Sequence, residues 1–417
     1  MIGRRALLGS LGGALVGACS RQTPATEAPG AAAVVPVGAA GDVVELPFAN
    51  GTRPLVQFPG KRPLIQMTAR PPQLETPFAV FAQSVDRDSL LTPNDAFFVR
   101  YSMGRLPLDL DVGAWRLGVG GHVGTAMSLS LPDLMAMPRA EIVAVNQCSG
   151  NSRGFSQPRV GGGQLAHGAM GNARWTGVPL KAVLAAAGVK AGAVDVVFEG
   201  ADGPVLPTGH DFAKSLSVDH ALDGEVLLAW AMNGEALPFL NGFPLRLVVP
   251  GWFGTYWVKH LERITVLDQP FGGHFMQKTY RMPDTDCGCV PPGTRPERTV
   301  PITRLRVRSF ITSVADGARV PAGQMRLAGF AFDGGAGIRR VGVSVDGGAS
   351  WADAKLGADM GRYGFRGWSL PVRLAAGAHV LMARAQTNAG EVQPLVATWN
   401  PSGYARNVVE QVKVVAA

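Results

Sequence analysis

Hydrophobic and polar positions alternate over many short stretches of this chain, and few stretches keep helical spacing for long. Residues 142–147 form one alternating apolar run, which predicts a buried strand. The run leads into Cys148 and a polar Ser-Gly-Asn-Ser loop, with Arg153 beyond it. A strand that ends in such a loop predicts a thiol that faces a ligand, since a polar loop is not typical of a core.

The remainder of the first 300 residues mixes strand and helix patterns without regular alternation. Strand patterns lie at residues 95–101, 115–123, 194–200 and 244–249, and helical spacing lies at residues 131–137 and 179–187. Prolines between residues 46 and 91 prevent long elements, so we expect this arm to wrap over the next domain. The pattern predicts an α+β domain over residues 45–298.

From residue 302 onward, short alternating runs are separated by Gly, Asp and Asn turns. Such runs recur at residues 325–332, 340–345 and 379–385. Strands at this spacing are typical of a β-sandwich, and we expect an all-β immunoglobulin-like sandwich domain over residues 299–417.

The first residues carry the pattern of an export signal. Arg4 and Arg5 precede an apolar run over residues 6–18, which is too short to cross a bilayer and has the length of a signal-peptide core. The paired arginines favour the twin-arginine route. We therefore predict a signal peptide over residues 1–19 and a periplasmic location.

Residues 16–19 resemble a lipobox, in which Cys19 becomes the lipidated first residue and tethers the protein to a membrane. An ordinary leader with an incidental cysteine is the alternative, because short motifs of this kind also occur by chance. The Ala/Pro/Gly-rich residues 20–44 are a predicted flexible linker.

Composition bounds the size of the protein and its partners. The chain has 417 residues, 47% of them hydrophobic, which is enough for a sizeable core in two or three domains. Its formal charge of +8 fits nucleic acid, an anionic surface or an anionic ligand. Because lysine and arginine are scattered along the chain, we expect an anionic small molecule and no nucleic acid.

Cys148 has three chemical interpretations. A thiolate acts as a nucleophile beside a histidine, binds a transition metal as a soft ligand, or is an inert core cysteine. No cysteine-hydrolase signature accompanies the seven histidines, so the residues favour a single thiolate ligand whose partner ligands come from a cofactor. Arg100, Arg153, Arg246 and Arg406 each lie near Gly, Asn or aromatic residues, and several of them together would form a dianion pocket.

Cys287 and Cys289 are separated by one residue. This spacing predicts poor geometry for a mutual disulfide, and no second cysteine pair completes a zinc site. The expected role of the two cysteines is structural or unknown.

Ten motifs in collinear order resemble the sulfite oxidase family of molybdenum pyranopterin enzymes, and most closely its periplasmic bacterial sulfite dehydrogenases. They are FFVR (97–100), NQCSGNSR (146–153), ARWTGVPL (173–180), FEGADG (198–203), AWAMNG (229–234), GFPLRLVVPG (242–251), TYWVKHL (255–261), RSFITS (308–313), FRGW (365–368) and WNPSGYARNVVE (399–410). The resemblance spans roughly residues 70–415, so it is far more specific than a single motif. It implies a molybdenum-cofactor domain followed by an immunoglobulin-like dimerisation domain.

The resemblance also implies residue roles. Cys148 is the implied thiolate ligand of molybdenum, where a heavy metal favours soft sulfur. The implied substrate residues are Arg100, Arg153, Tyr280 and Arg406, and the implied cofactor-binding residues are Asp202, Asn241, Arg246 and Lys259. Cationic side chains suit a phosphate, and a carboxylate accepts from the N–H edge of a pterin.

Three positions depart from the family pattern. Ser102 and Asn241 stand where the family often carries histidines, and Leu165 lies near the position of the tryptophan that closes the sulfite pocket in vertebrate members. These changes affect substrate and cofactor contacts, and leave the cofactor itself as expected.

The implied function is molybdenum-dependent oxidation of sulfite to sulfate by oxygen-atom transfer. No CxxCH haem-attachment motif occurs, so we expect no haem in this chain and a separate c-type cytochrome as electron acceptor. A homodimer, or a heterodimer with that cytochrome, is expected. The alternatives are a periplasmic molybdopterin-dependent sulfoxide reductase and a non-catalytic exported lipoprotein that binds a partner.

Overall fold

The computed structural model describes residues 42–86 and 90–417. The predicted signal peptide, Cys19 and the linker up to residue 41 lie outside the described residues. The first strand begins at Val43, so the linker does not extend to residue 44 as predicted; Val43 and Val44 instead pair with a second strand. None of the helices among the described residues is long and apolar enough to cross a membrane.

The arm predicted to wrap over the next domain forms an antiparallel sheet in which sequence neighbours pair in order. Its strands are β1 (Val43–Glu45), β2 (Thr52–Val56), β3 (Leu64–Thr68) and β4 (Gln73–Glu75), and helix α1 (Ala79–Asp86) follows. Leu74 bridges to Val99, and both side chains are buried. The arm is therefore packed onto the following domain at this point.

The next part of the chain contains twelve strands and four helices among the described residues. They are β5 (Leu117–Gly121), β6 (Met127–Leu129), α2 (Leu131–Ala136), β7 (Ala140–Gln147), β8 (Met170–Pro179), α3 (Leu180–Ala187), β9 (Asp195–Gly200), β10 (Ala213–Ser217), α4 (Val218–Ala221), β11 (Leu227–Met232), β12 (Glu235–Ala236), β13 (Arg246–Val248), β14 (Leu261–Leu267), α5 (His274–Gln277), β15 (Arg281–Pro283) and β16 (Thr299–Pro301). The expected α+β mixture is therefore mostly strand, with short helices.

Two sheets hold the core of this domain. One has the order β10-β9-β14-β5-β6, and the other has the order β12-β11-β8-β7 with β13 added on β11. Large apolar side chains such as Trp175, Trp257 and Phe198 are fully buried between these elements. Helix α2 begins with a capping box in which Ser130 and Asp133 satisfy each other's backbone N–H groups.

Strand β7 confirms the strand predicted before Cys148. It pairs with β8 over its whole length, from Ala140 opposite Gly177 to Gln147 opposite Met170. Its last four residues are all buried, so both faces of the strand end are covered. The strand therefore delivers Cys148 to a fixed point inside the protein.

The strand predicted at residues 95–101 is wrong, since the segment forms turns and one isolated bridge at Val99. The carbonyls of Asn94 and Phe97 accept hydrogen bonds from the side chain of Lys61, at 2.6 and 3.1 Å. The carbonyl of Phe98 accepts from the side chain of Asn241 at 3.1 Å. Side-chain donors thus replace a strand ladder here.

The C-terminal part of the chain is built from nine strands among the described residues. They are β17 (Arg308–Ile311), β18 (Ala318–Val320), β19 (Gly323–Phe332), β20 (Ile338–Ser344), β21 (Ala352–Asp353), β22 (Lys355–Leu356), β23 (Arg366–Leu374), β24 (Gly377–Thr387) and β25 (Gln411–Ala416). Sheets of order β17-β19-β23-β22 and β18-β25-β24-β20-β21 face each other. Leu327 and Trp368 of one sheet pack with Val341, Leu381 and Val414 of the other.

The two domains share an aromatic core. Phe81 and Phe253 of the first domain pack with Phe310, Phe330 and Phe365 of the second, and all five side chains are buried. The backbone N–H of Val145 in β7 also donates to the carbonyl of Tyr363 at 2.9 Å. The C-terminal domain therefore supports the strand that leads to Cys148.

Cys287 and Cys289 form a disulfide, which corrects the expectation of poor geometry. Gly288 between them adopts a left-handed conformation (φ 58°), and the two Cα atoms lie 5.1 Å apart, a normal distance for a disulfide. The hydroxyl of Thr285 accepts from the backbone N–H of Cys289 at 3.1 Å, which holds the turn closed.

Candidate active site

Cys148 is the one free cysteine of the described residues, and its side chain is partly buried. Its backbone N–H donates to the carbonyl of Ala169 (2.9 Å), and its carbonyl accepts from the N–H of Asn151 (3.0 Å). The loop that follows is polar and yet buried, with Ser149, Asn151 and Ser152 each at most 2% exposed. Buried polar side chains need partners, which indicates that this loop is built around a polar ligand or a polar neighbour.

A small cavity opens beside Cys148. Its lining consists of Gln73, Arg100, Cys148, Gly150, Arg153, Gly163, Leu165, Tyr280 and Tyr404. Four residues that the sequence marked as site residues therefore meet here, namely Cys148, Arg100, Arg153 and Tyr280. Two guanidinium groups beside one sulfur make this cavity suited to a small oxyanion.

Arg100 follows the Val99 bridge and lies next to the sulfur of Cys148. Burial disfavours its charge, but the phenols of Tyr280 and Tyr404 and the Cys148 sulfur raise the pKa of Arg100. Its guanidinium also donates to the carbonyl of Tyr101. The side chain is thus a fixed positive charge beside the thiol.

Arg153 is held by residues of the C-terminal domain. Its Nε donates to the carbonyl of Ser402 (2.8 Å), and its guanidinium lies over the ring of Tyr404, 5.0 Å from the centroid. A Cβ on Gly150 or Gly162 would lie only 2.7 or 2.3 Å from the Arg153 guanidinium. Both positions therefore need glycine for Arg153 to occupy its place.

Tyr280 shares a hydrogen bond of 2.8 Å with the hydroxyl of Ser102. Its ring stacks on the ring of Tyr404, with centroids 5.8 Å apart. Ser102 stands where the resembled family often carries a histidine, so in this protein a hydroxyl contacts the tyrosine instead. Tyr404 was not identified from the sequence, although it lies in the WNPSGYARNVVE motif.

Arg406, which the resemblance implies as a substrate residue, is not among the residues that line the small cavity. Its Nε and Nη2 each donate to a carboxylate oxygen of Glu410 at 3.0 Å, and its guanidinium lies 5.6 Å from the ring centroid of Phe155. Glu410 is four residues away along the same segment, within reach of this bidentate ion pair. The pair directs the Arg406 guanidinium toward the carboxylate.

A larger cavity adjoins the small one and shares Arg100, Cys148 and Tyr280 with it. The four residues predicted to bind the cofactor, Asp202, Asn241, Arg246 and Lys259, all line this large cavity. They come from loops and strand ends that lie far apart in the sequence, and the fold brings them together as expected.

Arg246 is 3% exposed, and its guanidinium carbon lies 4.9 Å from the ring centroid of Trp175. Burial lowers its pKa to about 9, since no carboxylate is paired with it. Burial lowers the pKa of Lys259 well below its ordinary value, and burial raises the pKa of the neighbouring Asp202 to about 6. An anionic group in the large cavity would favour the charged forms of Arg246 and Lys259.

Lys61 lies behind the cofactor residues and was missed from the sequence. It is 3% exposed and donates to the side-chain oxygen of Asn241 at 2.5 Å, while the Asn241 amide nitrogen donates to the carbonyl of Phe98. Burial lowers the pKa of Lys61 to about 7. The two hydrogen bonds fix the amide of Asn241, which occupies a position where the family often has histidine.

Tyr101 and His260 form a second layer around the large cavity. The hydroxyl of Tyr101 is 2.9 Å from Nε2 of His260, whose Nδ1 donates to the carbonyl of Phe243 at 2.7 Å. Lys259 places its Nζ over the Tyr101 ring, 2.9 Å from the centroid. Burial lowers the pKa of His260 to about 3, so the imidazole is neutral and accepts from Tyr101.

The large cavity passes a chemical test for a phosphate-bearing pterin. Four buried polar atoms of its lining residues have no hydrogen-bond partner in the part of the chain that the structure describes: Asn146 Oδ1, Ser149 Oγ, Arg246 Nε and Thr255 Oγ1. Orphaned buried donors and acceptors are rare, so a ligand with matching groups is expected. Asn146, Ser149 and Thr255 were not singled out from the sequence, although each lies within a quoted motif.

Comparison with known proteins agrees with this site. Residues 103–275 match the family described as oxidoreductase molybdopterin binding domain, and residues 299–417 match the Mo-co oxidoreductase dimerisation domain. Human mitochondrial sulfite oxidase is 37% identical over 346 residues, covering 78% of this chain and 62% of the human protein. Sulfite oxidase of Gallus gallus is 36% identical over 334 residues, covering 76% of this chain and 71% of that protein.

Among solved structures, the sulfane dehydrogenase SoxCD from Paracoccus pantotrophus aligns with a TM-score of 0.70 and 27% identity, covering 82% of this chain and 83% of that chain. Fold and site together define an oxidoreductase of the molybdopterin-binding class. The chain belongs to the sulfite oxidase family, and its cofactor is molybdenum-molybdopterin. It spans less than two thirds of the human protein, 62% of its length.

Proposed function

We propose that this protein oxidises sulfite to sulfate, consuming one water and releasing two electrons and two protons for each sulfite. One observation carries the proposal: Cys148, Arg100, Arg153 and Tyr280 line the small cavity, and the same Cys148 lines the large one. A single cysteine sulfur thus stands between a place for a small oxyanion and a place for the pterin.

Cys148 is the proposed protein ligand of molybdenum. When bound, the cofactor supplies the two-electron redox chemistry and the oxygen transfer. Arg246 and Lys259 would hold its phosphate as cations, and Asp202 would accept from the pterin edge. Lys61 holds the Asn241 amide in one orientation within the same cavity.

Arg100 and Arg153 bind and orient sulfite in the proposed reaction. Both charges are in place before the substrate arrives, because the Cys148 and tyrosine neighbours hold Arg100 and the Ser402 carbonyl holds Arg153. Fixed positive groups favour the developing sulfate dianion without reorganisation of solvent. The Tyr280 hydroxyl, hydrogen-bonded to Ser102, is placed to donate to or accept from a substrate oxygen.

The finer parts of the proposal concern partners and place. We propose a separate c-type cytochrome as acceptor, a dimer formed through the C-terminal domain, an immunoglobulin-like form for that two-sheet domain, and a periplasmic location, with a lipid tether at Cys19. The family description of residues 299–417 as a dimerisation domain supports the dimer. The paired arginines and the lipobox-like residues support export and tethering.

Metal analysis and turnover test the proposal together. Purified protein is expected to contain molybdenum and to reduce cytochrome c when sulfite is added. Cys148→Ser should lower the rate by orders of magnitude, while the C-terminal domain still folds. The double variant Cys287→Ser/Cys289→Ser removes the surface disulfide and is the matched control, expected to keep molybdenum and turnover.

Other substrates give different outcomes in the same assay. The likeness to a protein named sulfane dehydrogenase makes a sulfane-sulfur compound the second candidate, and turnover with thiosulfate but not sulfite would favour it. Sulfoxide reduction with a reduced donor would favour the reductase alternative. Protein without molybdenum from a molybdenum-replete host would favour a non-catalytic binding role.

A further inference from the structure

A buried hydrogen-bonded cluster lies behind Arg153, on the side of the C-terminal domain. Arg308, the first residue of β17, is 1% exposed, and its Nη2 donates to Ser152 Oγ (2.7 Å) and to Glu410 Oε1 (3.1 Å). Ser152 is fully buried and directly precedes Arg153 in the chain. The cluster thus joins the loop that carries Arg153 to two strand ends of the other domain.

The direction of each hydrogen bond follows from the groups involved. A guanidinium can only donate, so Ser152 accepts from Arg308 and gives its own hydroxyl hydrogen to Nδ1 of His167, 2.7 Å away. Burial lowers the pKa of His167 to about 3, which leaves its ring neutral and Nδ1 free to accept. Both partners together fix the rotation of the Ser152 side chain.

The backbone of Ser152 is also in an uncommon conformation. Its φ of 68° and ψ of 18° are left-handed, a conformation that residues other than glycine rarely adopt. Its N–H donates to the carbonyl of Ala166 at 2.6 Å, and the 3₁₀ turn Arg153–Phe155 begins directly after it. The contacts that hold Ser152 therefore set the direction of the backbone at Arg153.

The C-terminal domain also contacts the same loop through a second set of hydrogen bonds. The N–H of Ala405 donates to the carbonyl of Ser149 at 3.0 Å, and the carbonyl of Ser402 accepts from Nε of Arg153. Glu410, which pairs with Arg308, follows a few residues later in the same segment. Residues 402–410 of the second domain thus contact Arg153 directly through the carbonyl of Ser402. The carboxylate of Glu410 in the same segment neutralises the positive charge of Arg308.

We propose that Arg308 and Glu410 are positioning residues that set the place of the Arg153 guanidinium in the small cavity. Through them the C-terminal domain tunes the affinity of the site for oxyanions. The inference rests on the proposed function only in treating Arg153 as an oxyanion ligand. It also gives a role to the RSFITS motif, whose first residue is Arg308.

The test uses the full-length, molybdenum-loaded protein with Arg308→Met and, as a smaller change, Ser152→Ala. We expect the KM for sulfite and the Kd for sulfate to rise together by about tenfold, with kcat within about twofold and unchanged molybdenum content. Arg308→Lys should restore most of the affinity, because lysine still donates to Ser152 and Glu410. Arg340→Met, which removes an exposed ion pair with Asp353 in the same domain, is the matched control.

Wild-type sulfate affinity in both Arg308→Met and Ser152→Ala would overturn the inference, as would a fall in kcat at constant KM. If Arg308→Met does not fold, Ser152→Ala decides. A crystal structure of the variant gives a measure independent of turnover: Arg153 withdrawn from the Ser402 carbonyl supports positioning, and an unmoved Arg153 contradicts it. Absence of sulfite turnover in the wild type would count against the proposed function and leave this structural comparison valid.

Discussion

Two buried clusters of positive charge lie in this molecule, and they differ in how their charge is compensated. At the large cavity, Arg246 and Lys259 line the wall together with the carboxylate of Asp202, and Lys61 lies behind Asn241. Burial lowers the pKa of all three cations.

At the domain interface, Arg308 and Arg406 share Glu410. Burial raises the pKa of that carboxyl group, but His167 and the two guanidinium groups bring it down to about 2.

The difference separates a binding site from a structural cluster. The interface cluster is closed in the sense that the Glu410 carboxylate accepts from both arginines. The cluster at the large cavity is open, because among the described residues Lys61, Arg246 and Lys259 donate to carbonyl and amide oxygens and to no carboxylate. Buried charge without a partner is costly, so such a cluster indicates a ligand of opposite charge. Counting charges in the sequence does not distinguish the two clusters.

The largest effect should follow from removing a charge of the open cluster. Arg246→Met is expected to lose nearly all bound molybdenum, since truncating one partner of a buried charged contact costs about 4 kcal/mol, roughly a thousandfold in affinity. Molybdenum by mass spectrometry and pterin by fluorescence give the content per protein. Wild-type content in this variant would show that the large cavity is not compensated by the cofactor.

The next effect should appear in stability and not in cofactor content. Glu410→Gln leaves two arginines without their carboxylate, and we expect a loss of about 3 kcal/mol in the free energy of unfolding. The folded fraction should keep its molybdenum. Denaturant unfolding together with metal analysis checks both parts, and loss of metal at unchanged stability would reverse the assignment of the two clusters.

Acidification should weaken both clusters, because each contains a buried neutral histidine, His260 at the large cavity and His167 at the domain interface. His260 is fully buried and neutral, and burial lowers its pKa to about 3, whereas the unfolded chain takes up the proton near pH 6.5. Its contribution to stability is complete above pH 6.5 and is lost as the pH falls toward 3, on the order of 2 kcal/mol by pH 5. Glu410 contributes in the same direction only below its unfolded value near 4.5.

His260→Asn should therefore reduce the dependence of stability on pH between 7 and 5, roughly the range in which the unfolded histidine titrates, while His167 keeps its own contribution. Asparagine tolerates the left-handed backbone at this position, where φ is 50°. Thermal unfolding at several pH values measures the slope. Equal slopes in the variant and the wild type would mean that His260 does not govern this part of the pH dependence.

The smallest effect concerns the small cavity alone. A Cβ at Gly162 would lie 2.3 Å from Nη1 of Arg153, and the glycine has a φ of +96°. Gly162→Ala should displace the guanidinium and raise the KM for sulfite by about tenfold, with molybdenum content unchanged. Gly161→Ala, with open space at its Cβ, is the matched control. An equal KM in both variants would contradict the fixed position of Arg153.

Much of the site followed from the sequence because its signals are local. The alternating run before Cys148 predicted strand β7. The resemblance implied substrate roles for Arg100, Arg153 and Tyr280, and all three line the small cavity beside that cysteine. The strand predicted at residues 95–101 failed because side chains distant in sequence donate to the carbonyls of Phe97 and Phe98. The disulfide was missed because it depends on the conformation of Gly288.

The sequence by itself determined the strand pattern, the polar loop around Cys148 and the supply of arginines. Only the tertiary structure decided which charges are compensated. Arg406 pairs with Glu410 and lies outside the small cavity, while Lys61 reaches Asn241 across 180 residues. The physical reason is that the charge state of a buried group depends on its neighbours in space, and the chain brings those neighbours together only when it folds.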